Sequence, residues 1–131
     1  MLTLLLLLFF LGHAPSQDPS SRFRLLVFEG SDWCRTCRSL ERNVLSDSNF
    51  LNQLNVRSIQ IQRVDFPQRK PQTDSILKLN RNLATRLGFK GQFPTLYLCR
   101  TDTFLFREVK TTGLSAEKIV KQLDQAILQM P

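Results

Sequence analysis

The sequence predicts an α/β domain, a central mixed β-sheet flanked by helices on both faces. Phe23-Arg24-Leu25-Leu26-Val27-Phe28 is too apolar for a strand with one face in water and suits the middle of a sheet. The elements then alternate as strand, helix, strand, helix, the order that makes neighbouring strands parallel. A hairpin and a closing helix follow, which adds antiparallel pairing to the same sheet. With 131 residues the chain has enough length for one compact domain with a real core, and too little for two.

Residues 1–16 read as a signal peptide. Leu2 to Leu11 is a nearly unbroken apolar run, shorter than the roughly 20 residues that span a bilayer. Small residues follow it, and a cut after Ser16 with Ala14 two positions before fits the processing preference. No Lys or Arg precedes the run, so an uncleaved, membrane-associated helix stays open as the other reading. The expected destination is an oxidising compartment, periplasmic or secreted. Residues 17–22 form a linker, and residues 23–131 form the domain.

Glu29-Gly30-Ser31-Asp32 is the turn that releases the first strand. A helix is expected from Cys34 to Leu45, then a second, capped within Ser46-Asp47-Ser48-Asn49, with Phe50, Leu51 and Leu54 on one face. Arg57 to Val64 alternates polar and apolar residues, the period of a strand, and Asp65-Phe66-Pro67 ends it. Gln68 to Gln72 is polar and holds Pro71, hence an exposed loop. Thr73-Asp74 starts a helix in which Ile76, Leu79, Leu83 and Leu87 recur at helical spacing and Gly88 is the stop. Phe93 to Cys99 is a strand opened by a proline, Thr101-Asp102-Thr103 a turn, and Phe104 to Val109 the hairpin partner. Gly113 and Ser115 introduce a last helix carrying Ile119, Leu123 and Ile127.

Three cysteines are too few for a disulfide scaffold. The net charge of +7 belongs entirely to the domain, because residues 1–17 carry no charged side chain. Such a balance suits an anionic partner or membrane surface, or is merely a solvated basic surface. The basic residues are scattered and no RNA-binding aromatic motif is present, so no nucleic acid is expected.

The chemistry gathers at Asp32-Trp33-Cys34-Arg35-Thr36-Cys37. Cys34 falls at a strand-to-helix turn, where unpaired N–H groups and the helix dipole favour negative charge. At helix N-termini and in Cys-x-x-Cys pairs the thiol pKa drops below its free value of about 8.5. Arg35 and Arg38 push the same way. The result is a nucleophilic sulfur, with Cys37 one turn away to resolve a mixed disulfide. A structural disulfide or half a zinc site would use the same two residues. Closed zinc sites take four Cys or His ligands, and only Cys99 and the leader's His13 remain, so no metal is expected. Cys99 ends an apolar strand and reads as a buried small hydrophobe. The lack of a histidine in the domain argues against Cys–His protease chemistry.

Trp33-Cys34-Arg35-Thr36-Cys37 at a helix start, with Gly88-Phe89-Lys90-Gly91 leading into Phe93-Pro94-Thr95 at a strand opening, resembles the thioredoxin family. The resemblance runs from Phe23 to about Met130. The wording around Gly30 to Cys34 and the Val64-Asp65-Phe66-Pro67 insertion look like small exported bacterial members. The resemblance implies that Cys34 attacks and Cys37 resolves, and that Trp33 is an apolar shelf beside the sulfur. It implies a cis Pro94 packed against the pair, with the backbone at Phe93 able to take an extended substrate as an added strand. Arg35, Thr36 and Thr95 would shape the site. The implied activity is that of a thiol–disulfide oxidoreductase acting on client proteins that bear disulfides or dithiols. Such an enzyme needs no cofactor; it would work as a monomer supplied by a membrane-linked electron donor or acceptor. Three positions depart from the family pattern. The buried acid six residues before the first cysteine falls on Phe28, its lysine partner falls on Ile61, and Gln92 is an extra residue. Glu29 is the candidate to replace the missing proton acceptor. The lost acid and lysine keep a second reading open, a binding module without turnover; soft-metal (copper) handling by the two thiolates is a third.

Overall fold

The computed structural model describes residues 20–113 and 115–131; the signal-peptide reading of 1–16 and the first residues of the linker lie outside the described residues. The expected α/β architecture is present. The order is β1 (Phe23–Glu29), α1 (Arg35–Leu40) running into a π-helical turn (Glu41–Leu45), α2 (Ser48–Val56), β2 (Ile59–Asp65), α3 (Asp74–Leu87), β3 (Thr95–Arg100), β4 (Phe106–Val109) and α4 (Ala116–Leu128). The sheet order is β2-β1-β3-β4. β1 runs parallel to β2, with Phe23 opposite Ile59 and Glu29 opposite Asp65. β1 is antiparallel to β3, and β3 to β4. The apolar run of β1 thus lies between two strands, as its composition requires.

Alternation along β1 divides the interior in two. Phe23, Leu25 and Val27 pack with Leu40, Val44, Phe50, Ile119 and Leu123, the layer of α1, α2 and α4. Leu26 and Phe28 face the α3 layer with Val64, Leu87 and Tyr97. Phe28 is fully buried there, its ring centroid 4.5 Å from Phe89, 5.5 Å from Tyr97 and 6.2 Å from Phe66. Phe28→Ala should cost about 3–5 kcal/mol, read as a lowered urea midpoint with an unchanged m-value. A loss under about 1 kcal/mol would contradict this packing.

The helix starts are local. Asp47, Thr73 and Ser115 each accept the N–H three residues on at the first turn of α2, α3 and α4. Gly88 ends α3 at φ 65°, a left-handed position that glycine takes without strain.

Some expectations are corrected. Cys34 is the cap of α1 rather than its first turn. β2 begins two residues later than expected, at Ile59, and β3 begins at Thr95 rather than Phe93. Leu51 is exposed, whereas Phe50 and Leu54 are buried. On α3, Ile76 and Leu79 stand exposed and only the C-terminal turns reach the core. The sheet beside Leu79 offers Arg24 and Gln62, bonded to each other at 3.3 Å, around a cavity of about 350 Å³. Asn80 turns inward instead, and its Nδ2 donates to the Asp65 carbonyl at 2.9 Å.

Candidate active site

β1 ends at Glu29, and the turn that follows sets every functional group. The Gly30 carbonyl accepts from the N–H groups of Trp33 (3.2 Å) and Cys34 (2.8 Å). A Cβ on residue 30 would stand 2.2 Å from the Trp33 ring, so the indole lies where only glycine leaves room. The indole Nε1 donates to the Phe66 carbonyl at 2.8 Å, and Phe93 meets the ring edge-on at 5.3 Å. Ser31 donates both its N–H and its hydroxyl to the Asp65 carboxylate.

Asp32, which the sequence reading left without a role, fastens the loop after β2. Its carboxylate accepts from the N–H groups of Gln68 (2.9 Å), Arg69 (2.7 Å) and Lys70 (2.7 Å). The Gln68 bond, with those of Lys70 and Arg69, holds the carboxyl down at about 2 against an ordinary 3.8. A depressed pKa contributes stability above the ordinary value and loses it as pH falls through the folded one. The clasp should therefore weaken between about pH 4 and pH 2. Trp33, the chain's single tryptophan, is hydrogen-bonded to the same segment. Its emission should change over that interval in the native protein and not in Asp32→Asn.

Cys34 and Cys37 form a disulfide, with Cα atoms 5.2 Å apart. The Cys34 Sγ accepts the Cys37 N–H at 3.2 Å, the capping bond of α1. It also lies 3.4 Å from the Thr36 hydroxyl, which donates to the Phe93 carbonyl at 3.4 Å. Both sulfur-bearing residues are largely covered, Cys34 at 5% exposure and Cys37 at 3%. The Phe93–Pro94 peptide is cis. Phe93 and Pro94 line an open groove of about 520 Å³ with Thr36, Ser39, Asn43 and Thr111. Thr95 is buried and does not line it. Its hydroxyl donates to the Gln92 carbonyl at 2.6 Å and so braces the extra residue. Arg35 is exposed in the first turn of α1.

Cys37 faces another space, a cavity of about 260 Å³ shared with Glu29, Arg38, Glu41 and Arg63. Phe28 holds the α3 layer, and the carboxylate lies one residue later, on the cysteine side of the sheet. Glu29 is buried, and its burial pushes the pKa up, opposed by Arg63 and assisted by Asp65 and Glu41. Arg63 bridges the two glutamates, with Nη1 3.3 Å from Glu29 and 2.5 Å from Glu41. Burial acts against the Glu41 charge, but bonds from Arg63 and Ser46 outweigh it and lower that pKa. Arg63 and Glu41 escaped the sequence reading. Arg63 lies two residues past Ile61, on the same face of β2, and that period-2 step was the available sign. Cys99 is buried, and burial pushes its thiol up to about 12 despite Arg86, which keeps it protonated. Among the described residues no three His, Cys, Asp or Glu side chains gather as a metal ligand set, and no helix is long and apolar enough to cross a membrane.

A four-stranded mixed sheet with a Cys-x-x-Cys disulfide capping its first helix and a cis proline beside it makes this a thioredoxin-fold protein. No family model matches the chain. Among curated proteins it is similar to the disulfide bond reductase DsbH of Chlamydia pneumoniae, 34% identical over 71 residues. That stretch is 54% of this chain and 42% of the relative's length. Among solved structures, a DsbH oxidoreductase superposes with a TM-score of 0.67 at 25% identity, covering 85% of this chain and 75% of that one. The reduced C-terminal domain of Neisseria meningitidis DsbD gives 0.56 at 19% identity, over 81% and 82%. A thioredoxin from Thermus thermophilus gives 0.53 at 22%, over 79% and 72%. The last two speak for the fold alone.

Proposed function

We propose that this chain is an exported thiol–disulfide oxidoreductase that reduces disulfides in client proteins. The observation that carries it is the placement of the two sulfurs. Cys34 caps α1 beside the groove of Phe93 and Pro94, and Cys37 faces the Glu29 cavity. In the reduced protein the Cys34 thiolate attacks one sulfur of a client disulfide. A protein–client S–S bond forms as the client's own breaks, and one client thiolate leaves. Cys37, its proton passed to Glu29, then attacks the Cys34 sulfur and releases the second client thiolate. Two electrons move from the protein dithiol to the client, and the protons end on the product thiols. A reductase among the similar proteins supports this direction. A membrane-linked donor returns the electrons, and the apolar leader Leu2 to Leu11 supports export.

Insulin reduction with dithiothreitol as electron source tests the proposal. The native chain should accelerate precipitation well above the uncatalysed reaction, and a Cys34→Ser/Cys37→Ser double variant should not. Equal rates for the two proteins would refute it.

A further inference from the structure

The exchange chemistry leaves the loop between β2 and α3 without a task, yet that loop is fixed to the active-site turn. Ser31 binds Asp65, Trp33 binds the Phe66 carbonyl, and Asp32 takes three consecutive N–H groups from Gln68 to Lys70. The backbones of Arg69 and Lys70 therefore stand 2.7 Å from a carboxylate two residues before Cys34. Their side chains are exposed, as are those of Arg35 and Arg38 on α1 and of Lys90 on the strand-opening loop. The nearby carboxylates already have partners. Asp32 holds the loop N–H groups, Asp65 holds Ser31, and Glu29 and Glu41 share Arg63. Lys70 reaches Asp65 only at 3.8 Å. Among the described residues Arg35, Arg38, Arg69 and Lys90 form no ion pair.

We propose that this basic rim selects substrates, favouring disulfides flanked by acidic residues in the client polypeptide. The inference rests on the exchange reading above. The groove on the proline side is lined by hydroxyl and amide groups, such as Thr36, Ser39, Asn43 and Gln92, which carry no charge to discriminate with. Charge selection therefore belongs to the rim. Fixed like charges around a reactive centre raise the encounter rate of oppositely charged partners by about 10- to 1,000-fold, an effect that salt removes. The Debye length is about 10 Å at 0.1 M salt and about 3 Å at 1 M, so a charge effect of this kind fades as salt is added.

Three cyclic disulfide peptides that differ only in flanking pairs, Glu-Glu, Ser-Ser or Lys-Lys, test it. Each is mixed with the reduced full chain, and its rate is divided by its rate with dithiothreitol. The Glu-flanked peptide should exceed the Lys-flanked one by about 10-fold or more at low salt. The two should converge to within about 2-fold near 0.5 M salt. Arg69→Glu with Lys70→Glu should shrink the ratio several-fold; Arg69→Gln with Lys70→Gln, a milder change, should shrink it less. Lys118→Glu with Lys121→Glu, on α4, should leave it alone. Equal normalised rates for all three peptides would overturn the proposal while leaving exchange intact. So would a ratio that falls as far with the α4 changes as with the loop changes, since net charge would then be the cause. Failure to reduce any peptide, the Ser-flanked one included, would overturn the exchange reading and this one with it.

Discussion

Reduced Cys37→Ser protein, mixed with a disulfide-bonded client, is expected to accumulate a covalent complex through Cys34. Cys34→Ser protein should form none. The two sulfurs differ in what surrounds them, not in how deeply they lie. The Cys34 Sγ receives the Cys37 N–H and stands by Thr36, whose hydroxyl reaches the Phe93 carbonyl at the groove edge. Cys37 opens onto the glutamate cavity behind it. On the proposed reading an incoming disulfide meets Cys34, and Cys37 frees it. Loss of Cys34 should abolish capture, because the nucleophile that forms the covalent bond is gone. Loss of Cys37 should spare capture and block release, so the adduct appears on a non-reducing gel. Adducts through Cys37 in a Cys34→Ser background would reverse the assignment.

Glu29→Gln should slow the resolving step by about 10²-fold near neutral pH, the usual worth of a positioned proton acceptor. The carboxylate is buried beside Cys37, and the groups around it are named by the structure. Arg63 and Asp65 approach from β2, and Arg38 and Glu41 from α1 and its π-helical turn. Burial raises its pKa, with Arg63 opposing. A carboxyl with a raised pKa is a carboxylate above that value and a poor acceptor below it. Resolution in the native chain should thus slow as pH falls through the raised Glu29 pKa. A side-chain amide in its place has no proton to lose or gain, so the inflection should vanish from the variant's profile. Single-turnover release from a preformed mixed disulfide separates this effect from capture. An unchanged profile in Glu29→Gln would show that Glu29 only shapes the cavity.

The cysteine pair and the fold were legible because each rests on short-range regularities. The apolar run of β1, the caps Asp47, Thr73 and Ser115, and the stop at Gly88 are local statements of backbone chemistry. Phe93-Pro94 was legible through a resemblance, and the cis peptide matches it. What could not be read depends on pairing across the chain. The loss of the acid at Phe28 was evident, but the charged cluster beside Cys37 is a three-residue arrangement. Glu29, Glu41 and Arg63 meet only once β1, β2 and the π-helical turn are in place. Asp32 looked like a turn residue because its partners lie 36 to 38 positions away. Ile76 and Leu79 had the right helical spacing and still missed the core. Periodicity gives the face of a helix, but not whether the sheet opposite covers it; Leu79 lies over an open cavity shared with Arg24 and Gln62.

A glutathione redox titration of the native chain asks most directly whether Cys34 and Cys37 are a working couple or a fixed staple. Equilibration with defined ratios of reduced and oxidised glutathione, followed by acid quench and thiol counting, should give one reversible two-electron transition. Its midpoint should lie between about −270 and −120 mV, the range of thioredoxin-like enzymes. A pair that stays oxidised at every glutathione ratio, with a potential below about −300 mV as in structural disulfides, would contradict the account.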